Sequence, residues 1–165
     1  MPIVSEKKTK YRYWLTFFLE EFPTGYSFKP GLLHITVIPW FVIDGEEQEL
    51  VDSFHKFFAK AKSFDVRVGL RTQLGSKKDV YVNLVGAPQL TAIHQIALNW
   101  FEQTGARWAV KLPHVAKEYK PHIRRRQVTR LASGKSLRIK SLALVRARRQ
   151  EDNVREIAAK VKFNE

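Results

Sequence analysis

The chain has 165 residues, a mass of 19.2 kDa, a formal net charge of +13 and no cysteine. This length suits one domain that buries roughly 70% of its unfolded surface. The lack of cysteine excludes disulfides, thiolate zinc sites and cysteine nucleophiles. No apolar run resembles a signal peptide or approaches the roughly 20 residues of a membrane span. We therefore expect one cytoplasmic domain over residues 1–165, with no membrane partner.

The positive charge is concentrated in the second half of the chain. Between Lys111 and Gln150, Glu118 is the only acidic residue beside thirteen lysines and arginines. A field of one sign attracts polyanions, and nucleic acid and phosphate-bearing ligands are the polyanions this favours. A solvated basic surface that only aids solubility is the alternative interpretation.

Two β-strands are predicted near the N-terminus. Residues 11–19 are rich in aromatic and apolar side chains, a composition typical of a central strand. Residues 31–39, Gly-Leu-Leu-His-Ile-Thr-Val-Ile-Pro, form an apolar, β-branched run that the proline is expected to end. The period of two places His34 and Thr36 on one face of this strand, opposite a purely apolar face.

The middle of the chain predicts two amphipathic helices separated by a β-hairpin. Residues 44–62 open with a capping-box sequence, with Asp44 as the N-cap, and continue with apolar residues at helical spacing. Residues 64–69 and 80–85 alternate as half-buried strands on either side of a polar turn. The second helix is predicted within residues 88–105, between a proline and a glycine.

The last third of the chain predicts further strands. Residues 107–118 lack a clear period and are expected to form a loop with a short extended piece. A strand around His122 follows, then a polar turn and a β-like run over residues 137–148. Residues 155–163 alternate, which predicts a strand with Ile157 on the same side as the later apolar residues; a C-terminal helix is the alternative.

Two histidines in similar strand contexts are the candidates for chemistry. His34 lies in Leu-His-Ile-Thr, and His122 lies in Pro-His-Ile-Arg, 88 positions later. One imidazole can remove a proton from an attacking oxygen while the other donates one to the leaving oxygen, without a metal. Thr36 can hydrogen-bond a phosphate oxygen, and Arg124 and Arg126 can neutralise charge on phosphorus. We expect the two strands to face each other across a basic cleft.

Aromatic residues and the other histidines are weaker candidates. Trp40 and Tyr119 flank the histidine strands and could stack a base, although packing in the core is the alternative. His55 and His94 fall within the predicted helices and are expected at the surface or its boundary, while His114 falls in a loop. None has a metal-ligand spacing with a carboxylate, so no metal or cofactor is predicted.

The chain resembles the two-histidine phosphoesterase superfamily, particularly the RNA 2′,3′-cyclic phosphodiesterases, also called 2′-5′ RNA ligase-like proteins. The resemblance rests on the two histidine strands and covers most of the chain. It implies a bilobal α+β fold of two antiparallel sheets, each with a helix, related by a pseudo-twofold axis around a metal-independent cleft. It also implies that His34 protonates the leaving 3′ oxygen, His122 activates water, and Thr36 binds the phosphate, which gives a 2′-phosphate product.

The second motif departs from the family pattern. The family has His-x-Thr or His-x-Ser there, whereas this chain has Arg124 in the place of the hydroxyl. Arginine can bind phosphate with a different reach, or it can fill the cleft in a protein that binds without turnover. Two hypotheses therefore stand: a phosphodiesterase acting on RNA ends or small cyclic nucleotides, and a non-catalytic RNA-binding module that uses the same cleft. We expect a monomer in both cases.

Overall fold

The computed structural model describes residues 11–74, 80–111, 114–124, 132–148 and 151–165, without the side chains of residues 80, 81 and 151–153. These residues form ten strands and two α-helices. The strands are β1 (Tyr11–Phe18), β2 (Ser27–Phe28), β3 (His34–Val42), β4 (Phe64–Leu74), β5 (Val80–Gly86), β6 (Arg107–Trp108), β7 (His122–Arg124), β8 (Ser136–Ile139), β9 (Ser141–Arg148) and β10 (Glu151–Lys162). The helices are α1 (Glu47–Phe58) and α2 (Pro88–Gln103).

The strands belong to one antiparallel sheet with the order β2-β10-β9-β1-β3-β7-β5-β4-β8, and β6 pairs with one end of β3. The predicted α+β class is confirmed. The two predicted sheets are instead continuous, because β3 and β7 pair directly at Ile35 and Ile123. This pairing satisfies backbone groups that would otherwise lie unpaired at the edges of two separate sheets.

Both helices pack on one face of the sheet and enclose the main core. Phe54 of α1 and Trp100 of α2 are fully buried against strand residues such as Phe17 and Phe41. The Trp100 indole donates a hydrogen bond of 2.9 Å to Ser53, which ties α2 to α1. Neither helix is long and apolar enough to cross a membrane in the described part of the chain. The opposite face of the sheet, called the outer face below, carries the candidate histidines.

The start of α1 differs from the prediction. Asp44 does not cap the helix; it accepts a 2.6 Å hydrogen bond from Arg107 of the neighbouring strand β6. The helix begins three residues later at Glu47, whose carboxylate accepts hydrogen bonds from Tyr13 and Arg146. A carboxylate in the first turn also interacts favourably with the helix dipole. The helix ends at Phe58, before the predicted end, where the chain turns toward β4.

Pro39 lies inside β3 and does not end the strand. The pairs Tyr13–Phe41 and Leu15–Ile38 leave one extra residue in β3 compared with β1, which makes a β-bulge. Proline lacks an amide hydrogen to donate to a neighbouring strand, and bulges are among the few places in a sheet that tolerate it. The strand therefore continues beyond the residue at which the sequence predicted its end.

The C-terminal segment is a strand, as predicted, but its side chains do not all alternate as expected. A register shift in the β9–β10 pair lies between Ile157 and Ala159. Ala159 and the later apolar residues face the helices, whereas Ile157 packs with Trp14 and Val145 on the outer face. A bulge reverses the face that following residues occupy, which strict alternation cannot reveal.

The remaining elements agree with the sequence in type and approximate position. Strand β1, helix α2 and strand β7 are present where they were predicted, and β4 and β5 form the expected antiparallel hairpin. β4 extends to Leu74, beyond its predicted end. The turn of this hairpin, residues 75–79, lies outside the described residues.

The core around Trp100 predicts a large loss of stability on truncation. Trp100→Ala should lower the free energy of unfolding by about 3–5 kcal/mol, because it leaves a cavity between the two helices and the sheet. Urea denaturation followed by circular dichroism measures this change. The exposed Gln95 on the same helix provides the control, Gln95→Ala, which should change stability by less than about 0.5 kcal/mol. A similar small change in both variants would contradict the proposed packing.

Candidate active site

Strands β3 and β7 lie side by side in the middle of the sheet. Ile35 and Ile123 form the registered pair, and both are fully buried on the helix side. Because side chains alternate, the residues on either side of each isoleucine point to the outer face. The two histidine strands are therefore hydrogen-bonded neighbours on one surface, and the prediction that they face each other across a cleft was wrong in this respect.

The register brings four predicted site residues together on the outer face. Ile35–Ile123 is the registered pair, and because antiparallel partners run in opposite directions we expect Thr36 to lie opposite His122 and His34 opposite Arg124. Side chains directly opposite each other have Cβ atoms about 4.5–5.5 Å apart, and diagonal neighbours are about 7–8 Å apart. In this register we expect the two histidines to be diagonal neighbours.

Each histidine ring is held by the same local hydrogen bond. Nδ1 of His34 lies 2.8 Å from the carbonyl oxygen of Leu32, and Nδ1 of His122 lies 2.7 Å from that of Lys120. A carbonyl oxygen can only accept, so Nδ1 carries the hydrogen in both rings. Nε2 then bears the lone pair of the neutral ring and is the atom that exchanges a proton. Both rings thus adopt the same tautomer, held by the same local contact.

Trp14 of β1 orients the residues of the first motif, and the sequence analysis did not identify it as a site residue. Its ring lies edge-on to His34, with 4.6 Å between ring centroids. Its indole nitrogen donates a 3.3 Å hydrogen bond to Oγ1 of Thr36. Because the indole can only donate, Thr36 accepts with its oxygen and keeps its own hydroxyl hydrogen for an acceptor such as phosphate. The alternation of β1, with Trp14 opposite the core residues, is the signal that could have indicated this.

Tyr119 lies beside the site but is occupied by protein contacts. Its hydroxyl donates a 2.8 Å hydrogen bond to the carbonyl oxygen of Thr36, and its ring stacks on His94 with 3.8 Å between centroids. Burial raises the pKa of Tyr119, so the phenol stays protonated at neutral pH. One face of the ring is therefore covered, and the hydroxyl serves the protein backbone.

Trp40 belongs to an arginine–tryptophan cluster on the outer face, made of Arg12, Trp14, Trp40 and Arg155. The guanidinium groups of Arg12 and Arg155 lie 4.2 and 5.1 Å from the centroid of Trp40, and Trp14 lies 5.4 Å away. Such contacts are cation–π interactions, which stabilise by about 0.5–1 kcal/mol when exposed and more when desolvated. The cluster places positive charge and aromatic surface beside His34. That Trp40 stacks a base remains a prediction.

Of the two predicted arginines, Arg124 lies within the described residues. Arg124 is exposed and pairs in register with Val82 of β5. That Arg124 binds a phosphate group of a ligand stays a prediction. Arg126 lies outside the described residues. Of the lesser histidines, His55 is exposed on α1 and His114 lies in a loop, both as expected.

His94 is buried, contrary to the expectation of a surface or boundary position. Only 2% of its surface is exposed, and both ring nitrogens are hydrogen-bonded. Nδ1 donates to the carbonyl oxygen of Val37 at 2.9 Å, and Nε2 accepts from the amide of Ala116 at 2.9 Å. Burial lowers the pKa of His94, and the bond to Val37 opposes this only in part. The ring is therefore neutral, with one defined tautomer.

Two histidines on neighbouring strands of an antiparallel α+β sheet agree with the arrangement that the resemblance to two-histidine phosphoesterases implies. The fold is similar to that of TT0787 from Thermus thermophilus, with a TM-score of 0.62 and 18% identity over 92% of this chain and 97% of that chain. It is also similar to E. coli LigT complexed with 3′-AMP, with a TM-score of 0.59 and 13% identity over 93% of this chain and 98% of that chain.

A family model for the 2′-5′ RNA ligase superfamily matches residues 7–151. The chain belongs to this superfamily, and the resemblance found in the sequence is confirmed. A search of the curated proteins finds no match to the sequence. At these levels of identity the solved structures establish the fold alone.

The lowered pKa of His94 predicts how the free energy of unfolding depends on pH. Because the folded pKa of His94 is lowered, the unfolded chain takes up the proton first as the pH falls below about 6.5. The stability that neutral His94 contributes is therefore complete above about pH 6.5 and is lost as the pH falls toward the lowered folded value. Urea denaturation of the wild type and of His94→Gln at several pH values measures the difference.

The exposed His55 supplies the matched control for this experiment. His55→Gln should keep the pH dependence of the wild type, whereas His94→Gln should lose part of it. An identical pH dependence in the wild type and in His94→Gln would contradict the assignment of a neutral, buried His94.

Proposed function

We propose that this protein is a metal-independent phosphodiesterase that opens 2′,3′-cyclic phosphates, at RNA ends or in small nucleotides, to give 2′-phosphates. The observation that carries the proposal is the matched pair of Nδ1 hydrogen bonds on His34 and His122, on neighbouring strands. Membership in the 2′-5′ RNA ligase superfamily supports a phosphodiesterase or ligase-type function. The matched geometry also supports the pseudo-twofold relation between the two halves that the resemblance implies.

The proposed reaction divides its two proton transfers between the histidines. Nε2 of His122 takes a proton from water as the water oxygen bonds to phosphorus. Nε2–H of His34 gives a proton to the 3′ oxygen as the bond from phosphorus to that oxygen breaks. Each transfer can accelerate the reaction by roughly 10²- to 10⁴-fold. The histidines return to their starting states by exchanging protons with solvent.

The charge that builds on phosphorus is stabilised by neighbouring side chains. Thr36 donates its hydroxyl hydrogen to one phosphate oxygen, which is an acceptor, while its own oxygen accepts from Trp14. Arg124 contributes a fixed positive charge and two parallel donors, which suit the oxygens of a phosphate. These contacts strengthen as negative charge develops, which is the condition for catalysis rather than for binding alone.

The same site can form a 2′-5′ linkage when an alcohol replaces water. A ribose 5′ hydroxyl that attacks the cyclic phosphate gives its proton to His122, and the bond to the 3′ oxygen breaks as before. The product is a 2′-5′ phosphodiester. Solved LigT structures contain 3′-AMP, ATP, NADP+ or phosphate, which all carry phosphate and support a nucleotide as the ligand here.

A non-catalytic RNA-binding module is the second candidate function. Arg124 favours it, because an exposed guanidinium stands where the family has a small hydroxyl. The +13 net charge of the chain also favours binding to a polyanion. In this interpretation the outer face holds RNA by its phosphates and the histidines serve as polar contacts.

Substitution of the histidines tests the catalytic proposal. His34→Ala and His122→Ala should each lower kcat/KM for a 2′,3′-cyclic nucleotide by roughly 10²- to 10⁴-fold, since each removes one proton transfer. The assay contains a chelator, and the wild type should remain active in it. His55→Ala, at an exposed position on α1, is the matched control and should retain activity. Full activity in His122→Ala would rule out the mechanism.

Salt dependence tests the contribution of Arg124 and separates the two functions. Arg124→Gln should weaken the binding of single-stranded RNA and lower the slope of log K against log salt concentration by about 0.7, the value for one phosphate contact. Lys56→Gln, on the exposed surface of α1, is the control and should leave the slope unchanged. Tight, salt-sensitive binding by a wild type that shows no turnover would support the binding module. An unchanged slope in Arg124→Gln would show that this residue does not contact phosphate.

A further inference from the structure

Strand β7 forms few backbone pairs with β3. β7 has three residues, and Ile35–Ile123 is its one registered pair with β3 among the described residues. The diagonal placement of the two histidines depends on this contact. The three residues of β7 also pair with β5, which holds the other side of the strand. Attachment of β7 to β3 therefore depends on the segment that leads into β7 as well as on the Ile35–Ile123 pair.

His94 supplies an attachment between that segment and β3. It lies on α2, donates to the carbonyl oxygen of Val37 in β3 and accepts the amide hydrogen of Ala116, six residues before His122. Its ring also stacks on Tyr119, whose hydroxyl donates to the carbonyl oxygen of Thr36. The segment is thus joined twice to β3, at the residues that follow His34.

The backbone at Ala116 indicates that this attachment fixes a particular conformation. Ala116 has a φ of 56°, in the left-handed region that residues with a side chain rarely adopt. Such a conformation persists only where the surrounding structure holds it. The hydrogen bond from Ala116 to Nε2 of His94 is made by the amide of this same residue.

We infer that His94 is a positioning residue that sets the distance between the two catalytic histidines, because it fixes the 114–121 segment to β3. This inference rests on the proposed function and adds to it a residue that does not touch the substrate. His94 acts through Ala116 and Tyr119 on His122. Loss of its contacts lets β7 shift relative to β3, which impairs the two proton transfers more than the binding of phosphate.

Three substitutions separate the contacts of His94. His94→Phe keeps a ring to stack on Tyr119 and removes both hydrogen bonds. His94→Gln places an amide oxygen where Nε2 accepts from Ala116, and His94→Asn places an amide nitrogen where Nδ1 donates to Val37. We expect His94→Phe to lower kcat by roughly tenfold to hundredfold, as a misplacement of about 1 Å can do, with little change in KM. His94→Gln should retain more activity than His94→Asn.

A rescue experiment tests the link to the Ala116 backbone. Glycine adopts a positive φ at no steric cost, so Ala116→Gly lets the segment keep its conformation with less help from His94. Ala116→Gly alone should have near wild-type kcat, and it should restore part of the kcat lost in His94→Phe. A residue that only adds to global stability would not give this rescue. Equal kcat in His94→Phe with and without Ala116→Gly would overturn the role of this backbone.

Hydrogen exchange provides a readout that does not require turnover. In His94→Phe the amides of residues 114–124 should exchange at least about tenfold faster than in the wild type, while those of β1 should not change. If the wild type has no activity but His94→Phe still exchanges faster over residues 114–124, the proposed function fails, while the role of His94 in fixing the 114–121 segment to β3 stands. An active His94→Phe with kcat within about twofold of the wild type and unchanged exchange would overturn the inference. If His94→Phe does not fold, equal activity and exchange in the Gln and Asn variants overturn it.

Discussion

The pairing of β3 with β7 is the interaction on which the candidate site depends. Ile35 and Ile123 meet beneath the helices and join the two halves of the sheet into one surface. A slip of one residue in this register would turn His122 to the helix side and Ile123 to solvent. Burial of the isoleucines therefore fixes the faces of both histidine strands, and the position of the chemistry follows from the packing of the core.

The two faces of the sheet differ in composition: one forms the apolar core and the other carries the candidate site. The helix side holds the large apolar residues, with Trp100 and Phe54 at its centre, and supplies the stability. The outer face carries the histidines, Thr36 and Arg124 beside an arginine–tryptophan cluster. Buried polar contacts connect the two sides, and His94 is the clearest example, since it is part of α2 yet hydrogen-bonds to β3 and to the segment before β7.

The identity of the proton-carrying nitrogen is the feature of the site that matters most for chemistry. His34 and His122 both donate from Nδ1 to the carbonyl oxygen of the residue two positions earlier. A repeated local structure thus gives both rings the same tautomer, in which Nε2 carries the lone pair of the neutral ring. Arg124 replaces the hydroxyl found in the family's second motif and adds a fixed charge opposite His34, which favours a strongly anionic ligand.

The sequence by itself determined the α+β class, most of the strands and helices, and the face of β3 that carries His34 and Thr36, because the period of the apolar residues reports local burial. Only the tertiary structure decided that β3 and β7 are neighbours, that Trp14 orients the first motif, that His94 is buried, and that bulges at Pro39 and after Ile157 change the faces of two strands. These features arise from contacts between residues that are distant in sequence. The local sequence pattern does not indicate which strand will pair with a histidine-bearing strand. It also does not indicate which distant carbonyl group will accept a hydrogen bond from a buried histidine such as His94.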